Sequence, residues 1–133
     1  MAENTKNTVH DTKNFKVSEF ACKHCGENHI KQVVIDMCQT IRDAIGLPIR
    51  INSGYRCPVH NSRVSKTPNS YHTQGLAADL YCECGSEKLH KVIMQLEREG
   101  KLPNLRWNKR YIKKNFNHID SGKVRNNKFC EGN

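Results

Sequence analysis

Asn52-Ser53-Gly54-Tyr55-Arg56-Cys57-Pro58-Val59-His60-Asn61 and, after a polar interval, Asn69-Ser70-Tyr71-His72-Thr73-Gln74-Gly75-Leu76-Ala77-Ala78-Asp79-Leu80 form the stretch around which this chain is arranged. Ser70, His72, Gly75, Ala77 and Asp79 spell S-x-H-x-x-G-x-A-x-D. An imidazole and a carboxylate stand seven residues apart. The glycine and small residues between them let the backbone turn tightly and pack closely. The pair reads as two of the three protein ligands that a catalytic zinc takes, with the third to come from a distant segment.

Working outward, residues 48–55 alternate apolar and polar side chains and end at a glycine, which predicts a short strand. Residues 75–81 predict a second strand, small and apolar enough to lie inside a sheet. Between them, residues 57–71 hold two prolines, two asparagines and several hydroxyl residues, which predicts a long loop. Asp79 would then come from a rigid element and His72 from a loop.

On the N-terminal side, Ile30, Val33, Val34, Met37, Cys38, Ile41, Ala44 and Ile45 recur at three- and four-residue spacing, predicting an amphipathic helix stopped at Gly46 and Pro48. Before it, Phe15, Val17, Phe20 and Ala21 supply apolar anchors around a short helical turn at Ser18-Glu19. On the C-terminal side, Leu89, Val92, Ile93 and Leu96 predict a helix from Ser86 to Gly100. Residues 105–112 and 116–119 then predict two strands joined by a basic turn.

The expected fold class is α+β, a small and mostly antiparallel sheet carrying the zinc site, covered by two or three helices. A chain of 133 residues supports one core and hence one domain. That domain is placed at 15–125, between a polar, flexible arm at 1–14 and a polar tail at 126–133.

With 36% hydrophobic and 26% charged residues the composition is that of an ordinary globule rather than a disordered chain. No apolar run is long enough to span a bilayer, so membrane insertion is not expected. Residues 1–16 contain no apolar signal core, and synthesis in the cytoplasm is expected. The net charge of +9 is concentrated late, where Arg106, Lys109, Arg110, Lys113, Lys114, Lys123, Arg125 and Lys128 face only Asp120 between Glu99 and Glu131. Such a field suits a polyanionic partner, nucleic acid or a bacterial cell wall; the plainer alternative is a solvated basic face.

Seven cysteines, an odd number, speak for reduced thiols or metal binding rather than a complete disulfide framework. Cys22/Cys25 and Cys82/Cys84 are the close pairs, and two thiolate pairs could complete a tetrahedron around a second, structural zinc. Buried or free thiols are the plainer reading of the same pairs.

For the missing third ligand the best offer is His118, in the strand-like Asn117-His118-Ile119-Asp120 with an acid close by. His10, His24, His29, His60 and His90 lack that setting.

Taken together, Ser53-Gly54-Tyr55-Arg56, the S-x-H-x-x-G-x-A-x-D block, His118-x-Asp120 and the early Ser18-Glu19-Phe20-Ala21-Cys22 resemble the zinc D-Ala-D-Ala carboxypeptidase-type murein peptidases. These share a metal site with hedgehog and lysostaphin domains, and the small single-domain members of phages and prophages are the nearest in pattern. The resemblance covers roughly residues 15–125. It implies that His72, Asp79 and His118 bind zinc, that Arg56 binds the substrate carboxylate or steadies the oxyanion, and that Ser70 hydrogen-bonds the peptide.

In that chemistry a zinc-polarised water attacks the amide carbonyl and a carboxylate takes its proton. Many relatives carry an acid just before the last histidine. Here Asn115 and Phe116 stand there, and no Asp or Glu occurs between Glu99 and His118. Asp120 is the nearest carboxylate, on the same strand face as His118. It either acts as the base or orients a ligand imidazole.

The function implied is a zinc-dependent peptidase acting on bacterial peptidoglycan as a monomer, a D,D- or L,D-type carboxypeptidase or endopeptidase of the phage endolysin kind. Such an enzyme would reach the wall after holin-type release or from a virion. The alternative is a zinc-containing wall-binding or virion module without turnover, prompted by the missing upstream acid. A nucleic-acid binder is disfavoured, because aromatic residues are few and no nucleic-acid motif is present.

Overall fold

A computed structural model describes residues 9–65, 70–123 and 127–133. Among these residues the helices are α1 (Gln32–Ile45), α2 (Pro58–Val64) and α3 (Ser86–Arg98), with 3-10 turns at Val17–Phe20 and Tyr71–Gln74. The strands are β1 (Ile49–Ser53), β2 (Ala77–Cys82), β3 (Leu105–Tyr111), β4 (Phe116–Ser121) and β5 (Phe129–Gly132). They form one sheet in the order β1-β2-β4-β3-β5. Neighbours from β1 to β3 are antiparallel, and β5 lies parallel to β3. The α+β class and the mostly antiparallel sheet are as the sequence predicts.

The helical periodicity translates directly into packing. Val34, Ile35, Met37, Cys38 and Ile41 of α1 and Leu89, Ile93 and Leu96 of α3 are buried. They pack with Ile49, Ile51, Ala78, Leu80, Cys82, Leu105 and Ile119 from the sheet in a single core. Each fully buried aliphatic side chain of this kind contributes about 1.5–3 kcal/mol. That burial also fixes register: a one-residue slip of β4 would expel Ile119 and carry His118 and Asp120 into the core. Because side chains alternate along a strand, Asp79, His118 and Asp120 share the sheet face that the core does not use.

The loop expectation is corrected, and the arm and the tail both carry ordered contacts. Residues 57–71 are not a continuous loop: α2 occupies 58–64, the Tyr71–Gln74 turn follows, and positions 66–69 lie outside the described residues. The helix starts because Pro58 sits in its first turn and the Cys57 sulfur caps it, accepting from the His60 N–H at 3.4 Å. The tail contributes β5, whose pairing with β3 is made through backbone groups and needs little side-chain pattern. The arm is tied down from Val9 onward: His10 N donates to Gln32 Oε1 at 2.8 Å, and Thr12 Oγ1 and Asn14 N donate to Gln39 Oε1 at 2.9 and 2.8 Å. Its first eight residues lie outside the described residues.

Candidate metal centre

Two glycines decide how the motif backbone folds. A Cβ on Gly54 would meet the Phe20 carbonyl oxygen at 2.6 Å, so only glycine lets this strand end pass the N-terminal segment. Gly75 closes the Tyr71–Gln74 turn in the left-handed region at φ 72°, and a Cβ there would collide with the His29 carbonyl at 1.9 Å. The first glycine offers its carbonyl to the site: the Gly54 oxygen lies 2.7 Å from His72 Nδ1. An imidazole that donates there from Nδ1 keeps Nε2 free as an electron-pair donor.

That Nε2 atom stands 3.3 Å from Asp79 Oδ1, and His118 Nδ1 stands 3.1 Å from the same oxygen. The three donor atoms lie within 4.8 Å of one another. Zinc bonds of about 2.0–2.1 Å to nitrogen or oxygen, at a tetrahedral angle, place neighbouring donors about 3.3 Å apart. Identity and spacing of the donors therefore fit a zinc ion. The sheet supplies this geometry, since Asp79 and His118 are directly paired across β2 and β4.

The opposite nitrogen of His118 is also engaged. Nε2 lies 2.6 Å from Asp120 Oδ2, and both carboxylate oxygens of Asp120 accept from Arg106, Nε to Oδ1 at 2.7 Å and Nη2 to Oδ2 at 2.9 Å. Asp120 is 1% exposed. A bulge between Leu105 and Trp107 on β3 brings Arg106 to Asp120, and the guanidinium stacks on the Tyr71 ring at 4.0 Å. Arg106 entered the sequence analysis only as part of the basic surplus; its partner is chosen by the bulge, which leaves no local signal.

These neighbours shape the charges. Burial on its own would lower the His118 pKa, but hydrogen bonds to Asp120 and Asp79 raise it to about 9. Burial would raise Asp79, yet the His72 charge and the bonds from both imidazoles hold its carboxyl far below the usual carboxylate range. Without a cation the cluster therefore keeps a proton between Asp79 and Asp120, at a position a metal would take over.

Arg56 and Ser70 meet at a residue that the loop expectation hid. The Oδ1 atom of buried Asn61, on α2, accepts from Arg56 Nη1 at 3.2 Å and from Ser70 Oγ at 2.9 Å. Ser70 thus spends its hydroxyl on the protein. Arg56 Nη2 stands 3.9 Å from Asp79 Oδ2, and its buried Nε has no hydrogen-bond partner among the described residues.

All six sequence-derived site residues line one groove of about 630 Å³. Trp107, Tyr111 and Phe116 form its far wall. Its lining carries the cations Lys23, Arg56, Arg106 and Lys114 against the carboxylates of Asp79 and Asp120 alone.

The cysteines regroup. Cys22 and Cys25 stand with Cys57, all three sulfurs within 4.8 Å of one another. Cys82 faces the main core as part of β2. The expected tetrad Cys22/Cys25/Cys82/Cys84 does not form, because a strand residue pointing into the core cannot turn toward the N-terminal turn.

A family model described as Peptidase M15 matches residues 13–120. The chain belongs to the Peptidase M15 family. Its members are zinc-using metallopeptidases, hydrolases that act in general on peptidoglycan. Comparison with curated proteins returns no significant match. Among the described residues no helix is long and apolar enough to cross a membrane.

Proposed function

We propose that this Peptidase M15 member cleaves a peptide bond in the stem or cross-bridge of peptidoglycan, with zinc held by His72 Nε2, Asp79 Oδ1 and His118 Nδ1. The observation that carries the reading is the donor triad at tetrahedral spacing beside Arg56, whose buried Nε is unpartnered. Bound there, zinc supplies Lewis-acid polarisation of the scissile carbonyl and of water.

The chain's own residues do the rest. The Gly54 carbonyl and the Asp120–Arg106 pair orient the two imidazoles. Arg56, steadied by Asn61, presents donors to a substrate carboxylate or to negative charge growing on the carbonyl oxygen. The cationic lining suits stem peptides, which end in carboxylates. A volume of about 630 Å³ is that of a site for a short peptide rather than for a folded protein.

Asp120 is assigned as a positioning residue. Its oxygens already accept from Arg106 and His118, so it is poorly placed to take a further proton. The same observation favours a second reading, a zinc-containing wall-binding module without turnover. Mass spectrometry of zinc-loaded protein incubated with muropeptides separates the two. New amines or shortened peptides, absent with His72→Ala, are expected. Intact muropeptides across several wall chemistries would sink the enzymatic reading. The masses also name the bond, and with it a carboxypeptidase or an endopeptidase of the endolysin kind.

A further inference from the structure

Outside the groove the chain holds a second cluster of metal-binding character. Cys22-Lys23-His24-Cys25-Gly26 folds into a tight turn in which Gly26 N donates to the Cys22 carbonyl at 2.9 Å and Cys22 N donates to the Glu27 carbonyl at 2.7 Å. Gly26 adopts φ 82°, the left-handed conformation that lets the chain reverse directly after the second sulfur. Cys57 arrives from the other side of the molecule, at the cap of α2.

Two of the sulfurs accept from backbone donors. The Cys22 sulfur receives the Cys57 N–H at 3.4 Å. The Cys57 sulfur receives the His60 N–H at 3.4 Å. N–H dipoles of this kind stabilise negative sulfur, the form that binds metal. Cys22 and Cys57 are 3% and 7% exposed and pack with Tyr55, whereas Cys25 stands at the surface.

A candidate fourth donor stands beside Cys57, outside the set of three sulfurs that lie within 4.8 Å of one another. His24 Nδ1 lies 3.6 Å from the Cys57 sulfur, and its ring is held by stacking on His60 at 5.7 Å and 6°. Zinc bonds of ~2.3 Å to sulfur and ~2.0 Å to nitrogen, at a tetrahedral angle, put those atoms ~3.5 Å apart.

We propose that Cys22, Cys25 and Cys57 hold a second zinc ion, with His24 Nδ1 moving in from beside the Cys57 sulfur as the fourth donor, a structural site separate from the groove. Binding replaces thiol protons by the metal and involves no change of oxidation state. The ion ties the turn after Phe20 to the strand end that carries Gly54 and Arg56, residues whose backbones already touch through Tyr55 N donating to the Phe20 carbonyl at 2.8 Å. If Arg56 works as assigned above, the clamp also sets its position; the metal assignment does not depend on that reading.

Metal analysis of the full chain purified under reducing conditions tests it. Two zinc ions per chain are expected in the wild type and one in Cys25→Ser, chosen because Cys25 is exposed and its loss disturbs packing least. His72→Ala should lose the other ion and keep this one. Cobalt-loaded His72→Ala should show an intense thiolate-to-metal charge-transfer band that Cys25→Ser lacks.

In case Cys25→Ser does not fold, a mercurial titration of the wild type, read with a chromophoric chelator, should release one zinc as the thiols are consumed. A single zinc that thiol modification leaves in place would overturn the proposal, as would an intact mass showing a disulfide among the three cysteines.

Discussion

The imidazole–carboxylate cluster of the groove and the thiol cluster behind it are both sets of donors at metal spacing, yet they are built in opposite ways. His118 and Asp79 are paired directly across two central strands, so sheet register positions them; Asp120, itself held by Arg106, fixes His118 further, and the Gly54 carbonyl fixes His72. Cys22, Cys25 and Cys57 come from a turn and a helix cap more than thirty residues apart in sequence, joined where Tyr55 N donates to the Phe20 carbonyl. The first cluster faces a groove with room for a ligand; the second packs two of its three sulfurs against Tyr55 and leaves Cys25 at the surface. A reactive centre needs an accessible, rigid frame, whereas a clamp needs only that its segments be brought together.

The strongest way to break the comparison is His72→Ala. It should abolish peptide cleavage, a loss of at least about 10³-fold, which exceeds the effect of losing one oxyanion donor. Next comes Arg56→Ala, expected to cost on the order of 10²-fold in kcat/KM with zinc content unchanged, since the guanidinium acts on substrate rather than metal. Steady-state kinetics with a muropeptide, alongside metal analysis, check both. Zinc loss in Arg56→Ala would mean that its contact with Asp79 matters more than its exposed donors.

Asp120→Asn should weaken zinc binding about 10–100-fold, the usual effect of removing a partner that orients a ligand histidine. With excess zinc most of the turnover should return. A collapse of kcat at full zinc occupancy would make Asp120 the base.

The smallest effect concerns pH. In metal-free protein His118 has its pKa raised from 6.5 to about 9, so its contribution to stability is fully present below about pH 6.5 and is lost as pH climbs through 9. Asp79, lowered, acts in the opposite sense and loses its contribution only as pH falls below the carboxylate range. The metal-free protein should therefore lose about 2–3 kcal/mol between pH 6.5 and 9, read as a falling Tm. Zinc-loaded protein should show the reverse trend in affinity, because binding releases the same proton.

Much of this was legible in the sequence because it is periodic or local. The 3.6-residue repeat of α1 and α3 predicts the core, and the alternation of β2 and β4 places Asp79, His118 and Asp120 on one face. What escaped depends on long-range geometry. Asn61 was hidden because Pro58 and the surrounding polar residues read as loop, and sulfur is an uncommon helix cap. Arg106 acquires its partner from a bulge, and β5 from backbone pairing. The thiol cluster was misassigned because Cys82 and Cys84 sit closer together in sequence than Cys57 does to Cys22, although strand alternation turns Cys82 inward.

The four residues of β5 also bear on how the protein behaves in a crowd. Hydrogen-bonded along the flank of β3, they replace it as an edge, so that among the described residues the sheet ends in the five-residue β1 and the four-residue β5. An open flank is a template for pairing with another chain, and the seven-residue β3 would offer a longer one than the four-residue β5 that covers it. Breaking that last strand, for example by Cys130→Pro, should therefore show first as self-association in light scattering, before any change in turnover.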